Sequence, residues 1–186
     1  MSDKAAIARL FVALPVTRPL SKTLLTLQPP PLESVRLVAE ADFHITLHFL
    51  GSREIDPVRR ALGTVTAAPF VSRLNRTGQF PLRNGRKVLW IGIEAVDGLM
   101  TLFRQLAEAL DRVGFTPESR PYKPHITLAR LAARAPARVA ENFVDSLLPR
   151  GPIEFECREF ALFDSDASSG FRRYSILESY PLAGSR

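Results

Sequence analysis

The chain has 186 residues, of which 46% are hydrophobic and 24% are charged, a balance typical of a folded globular protein and not of a disordered chain. Its single cysteine, Cys157, excludes an internal disulfide and a multi-cysteine metal site, and is expected to be buried in a strand. No apolar run approaches the ~20 residues that span a bilayer, so a soluble cytoplasmic protein with no membrane partner is predicted. The net charge of +6 favours polyanionic partners such as nucleic acid.

Apolar runs alternate along the chain with segments of helical spacing, and turn residues separate them. Asn84-Gly85 is a hairpin signal, and Gly114 closes the clearest helix. In chain order, strands are predicted over 8–16, 34–51 (interrupted by a turn), 70–81, 87–95 and 125–130, a terminal strand hairpin over 152–182, and helices over 17–28, 54–68, 97–115 and 136–151.

Two of the three histidines begin the same tetrapeptide, "HITL", at His44 and His125. The spacing of 81 residues between them nearly equals the spacing of 79 between "LFVAL" at Leu10 and "LWIGI" at Leu89. Each half thus contains strand, helix and His-headed strand, which indicates an internal duplication. We predict an α+β fold in one domain, 1–186, with two pseudo-symmetric lobes, each an antiparallel sheet with helices, facing across a central cleft.

The alternation of side chains along a strand places the histidines and threonines on one face. His44 and Thr46 share a face, and the residues between and after them, up to Phe49, are predicted to point into the core. His125 and Thr127 share a face in the same way. The cleft would therefore hold two imidazoles and two hydroxyls in symmetric positions.

This set of groups suits phosphodiester chemistry without a metal. One neutral imidazole can deprotonate an attacking water or hydroxyl while a protonated one delivers a proton to the leaving oxygen. The unperturbed histidine pKa of ~6.5 lets both forms exist near neutrality. Threonine hydroxyls can donate to the non-bridging phosphate oxygens, where negative charge grows.

The chain resembles the 2H phosphoesterase superfamily, whose signature is two H-x-[ST]-x motifs, and within it the RNA 2′,3′-cyclic phosphodiesterases, also called 2′-5′ RNA ligases. The stretches "RLFVALP", "HITLHFLG", "KVLWIGIE" and "RPYKPHITLAR" carry this resemblance, in the family's order. It implies hydrolysis of an RNA terminal 2′,3′-cyclic phosphate, or of a cyclic nucleotide, to a 2′-phosphate, with no cofactor. By the same analogy His44 is the acid and His125 the base. We expect a monomer.

Other residues near the motifs are candidates for substrate contacts. Arg130 ends the second motif, and the resemblance implies a phosphate contact, although strict alternation directs it toward the core unless the strand bulges. Phe11 and Trp90, at equivalent places in the repeat, could stack on a base or pack in the core. Tyr122 stands where the resemblance leads us to expect phenylalanine. His48 shares parity with His44 and could contact substrate, or lie exposed at the strand end.

Three other functions remain open from the residues alone. A metal-dependent hydrolase could use His44, His48 and His125, but ~13 Å along a strand between the first two is too far to chelate one ion. A nucleotide- or RNA-binding module could retain the motifs without turnover. Ligation of 2′-5′ RNA ends could occur at the same site as hydrolysis.

Overall fold

The computed structural model describes residues 6–117, 120–145, 152–166 and 173–183. Nine strands and four helices lie within these ranges, which confirms the predicted α+β class. They are β1 (Ile7–Pro15), α1 (Arg18–Thr26), β2 (Val35–Leu37), β3 (His44–Glu54), α2 (Ile55–Leu62), β4 (Phe70–Pro81), β5 (Lys87–Ile93), α3 (Asp97–Asp111), β6 (His125–Leu131), α4 (Ala137–Val144), β7 (Glu154–Cys157), β8 (Glu159–Asp166) and β9 (Arg173–Pro181).

The strands form two antiparallel sheets, in the orders β3-β1-β8-β9 and β2-β6-β5-β4-β7. The two sheets repeat one arrangement, since β3-β1-β8 corresponds to β6-β5-β4. The two His-headed strands, β3 and β6, approach each other across the interface between the sheets. The predicted pair of pseudo-symmetric lobes is therefore present, with one histidine motif in each.

One apolar core runs continuously through both sheets and the helices that cover them. The helices contribute through periodic apolar faces, for which α3 is the clearest example with Leu99, Leu102, Leu106 and Leu110 buried. Cys157 is buried as expected, and burial raises the pKa of its thiol to about 12. Among the described helices, none combines the length and apolar character needed to cross a bilayer.

Several predicted boundaries change in the structure. The 54–68 helix ends at Leu62, and Gly63 caps it. The terminal segment does not form one simple hairpin, because β7 pairs with β4 in the second sheet while β8 and β9 pair in the first. The turn at Asn84 and Gly85 is confirmed, and both residues have the positive φ that such turns require. The end of the predicted 136–151 helix lies outside the described residues.

Candidate active site

A β-bulge interrupts each His-headed strand at the same place, three residues after the histidine. In β3, Val12 pairs with His48 and Ala13 with Thr46, so Leu47 is the extra residue. In β6, Leu89 pairs with Ala129 and Trp90 with Thr127, so Leu128 is extra. A bulge reverses which face the following residues occupy. The first seven residues of both strands consequently share one pattern of buried and open side chains.

The two imidazoles are oriented by matching hydrogen bonds. His44 Nδ1 lies 2.7 Å from the carbonyl oxygen of Asp42, and His125 Nδ1 lies 2.7 Å from the carbonyl oxygen of Lys123. A carbonyl only accepts, so each Nδ1 carries a proton and donates it. Each neutral ring is therefore held with Nε2 as its remaining proton acceptor.

Each histidine rests on aromatic side chains that hold its ring. The centroid of the His44 ring lies 5.0 Å from those of Phe11 and Tyr174. The centroid of the His125 ring lies 5.0 Å from that of Phe80 and 6.0 Å from that of Trp90. Under His44, an apolar cluster separate from the main core forms the cleft face of the first sheet: Phe11, Ala13, Ala161 and Phe163, with Tyr174 against it.

Burial lowers the pKa of both histidines. For His44, burial lowers the pKa to about 4 against the hydrogen bond to Asp42, and the positive fields of His125 and Arg130 add to the shift. For His125, burial again leads, and Arg130 contributes. These mutual effects indicate that both rings and the Arg130 guanidinium occupy one small region. With no anion bound, both imidazoles are mainly neutral at pH 7.

Arg130 lies on the cleft face beside His125 because of the bulge. Strict alternation directs this side chain toward the core, but the extra residue Leu128 turns it outward, and it is exposed. Arg36 on β2 stands directly opposite Arg130 in the ladder. The same face of the second sheet therefore carries positive charge next to its histidine.

His48 lies on the opposite face of β3 from His44, which corrects the expectation that they share a face. The bulge at Leu47 turns the His48 ring into the core, where it is 4% exposed. Its Nε2 donates to the carbonyl oxygen of Phe103 at 2.9 Å, and its ring stacks on the Phe103 ring with centroids 4.3 Å apart. A substrate contact by His48 would require this packing to open.

Phe11 and Trp90 also differ from the expectation. Phe11 does face the cleft, but it is 1% exposed beneath His44, while Trp90 is 9% exposed beneath His125. Neither ring is open to a nucleobase in this structure. They are also not equivalent, because the ladders align Phe11 with Val88 and Ala13 with Trp90. The sequence repeat therefore matched these strands two residues out of register.

Phe49 occupies the position in the first lobe that Arg130 occupies in the second. Each residue follows its histidine by five positions and lies just past the bulge. Phe49 is 61% exposed, although strict alternation predicted a core position. Its ring centroid lies 6.0 Å from that of Phe11. Aligning the two motifs and reading the arginine as a cleft residue would have found it.

Tyr122 is half-buried between the lobes. Its hydroxyl donates to the carbonyl oxygen of Thr46 at 3.0 Å, so the side chain is engaged within the protein and does not face the open cleft. The described residues contain no group of three or more His, Cys, Asp or Glu side chains arranged to hold a metal ion. A site built from His44, His48 and His125 does not fit this geometry, because His48 points away.

Comparisons with known proteins agree with this arrangement. A family model described as the 2′-5′ RNA ligase superfamily matches residues 27–168. Two relatives are named RNA 2′,3′-cyclic phosphodiesterase. One, from Escherichia coli K12, is 33% identical over 82% of this chain and 82% of its own length. The other, from Geobacillus stearothermophilus, is 30% identical over 94% of this chain, which spans 57% of that relative's length.

Solved structures share the fold. The crystal structure of E. coli LigT complexed with 3′-AMP has a TM-score of 0.74 and 27% identity, over 95% of this chain and 99% of that one. The crystal structure of a Thermus thermophilus protein has a TM-score of 0.75 and 30% identity, over 96% of this chain and all of that one (100%). The paired motifs on facing strands and the match over most of the sequence agree: the chain belongs to the 2′-5′ RNA ligase superfamily of 2H phosphoesterases.

Proposed function

We propose that the chain hydrolyses a terminal 2′,3′-cyclic phosphate of RNA, or a nucleoside 2′,3′-cyclic phosphate, to the 2′-phosphate, without a metal ion. One observation carries the proposal. Two imidazoles on facing strands have their Nδ1 atoms fixed by backbone carbonyls, so both Nε2 atoms remain available for proton transfer. A module that only binds nucleotides has no need of two matched proton-transfer groups.

The reaction breaks the bond between phosphorus and the ribose 3′ oxygen. His125 Nε2 accepts a proton from water as the water oxygen attacks phosphorus, and His44 Nε2–H donates a proton to the departing 3′ oxygen. The product carries the phosphate on the 2′ oxygen. His44 ends neutral and His125 protonated, and exchange with solvent restores the starting state. This assignment of acid and base follows the family resemblance, since a pseudo-symmetric site can work in either direction.

Binding of the substrate anion supplies the protonated histidine that the empty site disfavours. Burial keeps the pKa of His44 at about 4 without ligand, but a phosphate anion near the ring stabilises its charged form and raises the pKa. Thr46, Thr127 and Arg130 lie on the same cleft faces as the histidines and are the proposed contacts to the non-bridging oxygens. The arginine can donate to two oxygens at once.

The two sides of the cleft differ in a way that suits a nucleotide end. The His125 side carries the Arg130 and Arg36 charges, whereas the His44 side presents the exposed Phe49 ring over the buried aromatic cluster. A nucleobase can stack on such a ring while the phosphate stays near the arginines. The E. coli relative was crystallised with 3′-AMP, a ligand with the same two parts.

The test is hydrolysis of adenosine 2′,3′-cyclic phosphate and of a short RNA with a cyclic-phosphate end, in the presence of EDTA. We expect turnover of both, with a 2′-phosphate product resolved from the 3′ isomer by chromatography. Binding of either substrate without turnover by folded protein would support the binding-module alternative. Activity lost on chelation and restored by a divalent metal would contradict the metal-free mechanism.

A further inference from the structure

Tyr122 connects the two histidine motifs directly. It lies three residues before His125, in the loop that leads into β6, and its hydroxyl donates to the carbonyl oxygen of Thr46 at 3.0 Å. Thr46 lies two residues after His44 on β3, an edge strand of the first sheet. The hydrogen bond therefore joins the backbone beside one histidine to the loop beside the other, across 76 residues of sequence.

A stack of three rings holds the Tyr122 side chain in place. The Tyr122 ring stacks on Phe103 of α3, with centroids 4.1 Å apart and an interplanar angle of 13°. Phe103 in turn stacks on His48, at 4.3 Å and 22°, and its carbonyl oxygen accepts the His48 Nε2–H. Because His48 and Thr46 belong to the same strand, the contacts form a closed circuit from β3 through α3 to Tyr122 and back to β3.

This circuit bears on a distance that neither lobe sets alone. Each histidine is oriented within its own motif by a carbonyl two residues earlier, but the separation of the two Nε2 atoms depends on how the lobes meet. Acid–base catalysis is sensitive to such placement, and a shift of about 1 Å can cost about 100-fold in rate. Burial raises the pKa of Tyr122, so its hydroxyl remains a donor throughout the working pH range.

We propose that Tyr122 is a positioning residue whose hydroxyl, by holding the Thr46 carbonyl, fixes the spacing between His44 and His125. The inference rests on the proposed function for its kinetic consequence, but the spacing itself is a property of the free protein. The Tyr122→Phe substitution removes the hydroxyl and keeps the ring stack.

Tyr180→Phe is the matched control. Tyr180 on β9 also stacks on a phenylalanine, Phe160, with centroids 4.9 Å apart, and its hydroxyl also approaches a backbone carbonyl, that of Arg59, at 3.5 Å. Both Tyr180 and Phe160 belong to the main core, on the other face of the first sheet from the cluster beneath His44. A general loss of packing would therefore appear in both variants.

The first readout is kinetic. We expect Tyr122→Phe to lower kcat on a nucleoside 2′,3′-cyclic phosphate by about tenfold with KM within about twofold, because ground-state contacts are kept while the acid and base are misplaced. Tyr180→Phe should keep both constants near wild type. Equal losses in the two variants, or wild-type kcat in Tyr122→Phe, would overturn the proposal.

The second readout needs no turnover. With three histidines in the chain, ¹⁵N-histidine NMR can follow each ring, and the His44 and His125 resonances are assigned from single substitutions. We expect Tyr122→Phe to change the titration of both site histidines, since their fields act on each other, and Tyr180→Phe to leave it unchanged. If wild type proves inactive, the proposed function fails while this titration still decides the inference: identical curves in wild type and Tyr122→Phe would refute it.

Discussion

Protonation of either site histidine costs free energy in the empty protein, because each ring is half-buried against aromatic side chains. The folded-state pKa of His44 is about 4, against about 6.5 in an unfolded chain. As the pH falls, the unfolded chain takes up this proton first. The contribution to folding stability is therefore complete above pH ~6.5 and is lost progressively down to pH ~4.

A His44→Gln variant, which cannot take up this proton, tests the linkage. Between about pH 7 and about pH 4 we expect it to lose less unfolding free energy than wild type, by up to about 3 kcal/mol. Urea unfolding at both pH values measures the difference, and carboxylate effects cancel between the two proteins. Equal losses on acidification would show that His44 is not held neutral by its surroundings.

Arg130 provides the second test at this scale. Arg130→Gln keeps most of the side-chain volume but removes a charge-assisted contact to phosphate, so kcat/KM should fall about 10- to 100-fold. The pKa values of both histidines should rise, since the arginine field lowers them. Arg112→Gln, an exposed site just after α3, is the control. Unchanged kcat/KM in Arg130→Gln would remove the arginine from the site.

At the scale of elements, the two bulges separate what the sequence predicts from what it does not. Alternation correctly places His44 with Thr46 and His125 with Thr127, because these pairs precede the bulges. Past the bulge it misplaces His48 and Phe49, and it directs Arg130 inward. A bulge depends on how neighbouring strands pair, so the local residue pattern contains no clear signal for it.

The close packing of β4 on β5 supports the His125 side of the cleft. A Cβ added at Gly78 would lie 2.2 Å from the Trp90 side chain, and Trp90 lies under His125. We expect Gly78→Ala to destabilise the protein by about 1–3 kcal/mol and to reduce kcat by displacing the imidazole.

Gly63→Ala is the control for this prediction. The residue has ordinary helical φ at the end of α2, and a Cβ there meets its nearest atom at 3.5 Å. We expect stability and kcat close to those of wild type. Thermal unfolding and steady-state kinetics measure both variants, and a Gly78→Ala protein as stable and active as Gly63→Ala would contradict the packing argument.

At the scale of the whole molecule, the repeat in the sequence predicts the two lobes but not how the chain shares its strands between them. β2 comes from the first half of the chain yet pairs with β6 in the second sheet, and the terminal strands divide between the two sheets. Such assignments depend on which sheet edge is open to each segment, which is a tertiary property. The duplication was readable because each histidine begins its strand.

The central claim is that His44 and His125 act together as one acid–base pair. The direct test is kcat for hydrolysis of a nucleoside 2′,3′-cyclic phosphate, with EDTA present, by wild type, His44→Ala, His125→Ala and the double variant. We expect each single substitution to lower kcat by about 100- to 10,000-fold and the double substitution to add little, because groups that act as a unit are not additive. Near-wild-type kcat in either folded single variant, or fully additive losses, would contradict the claim.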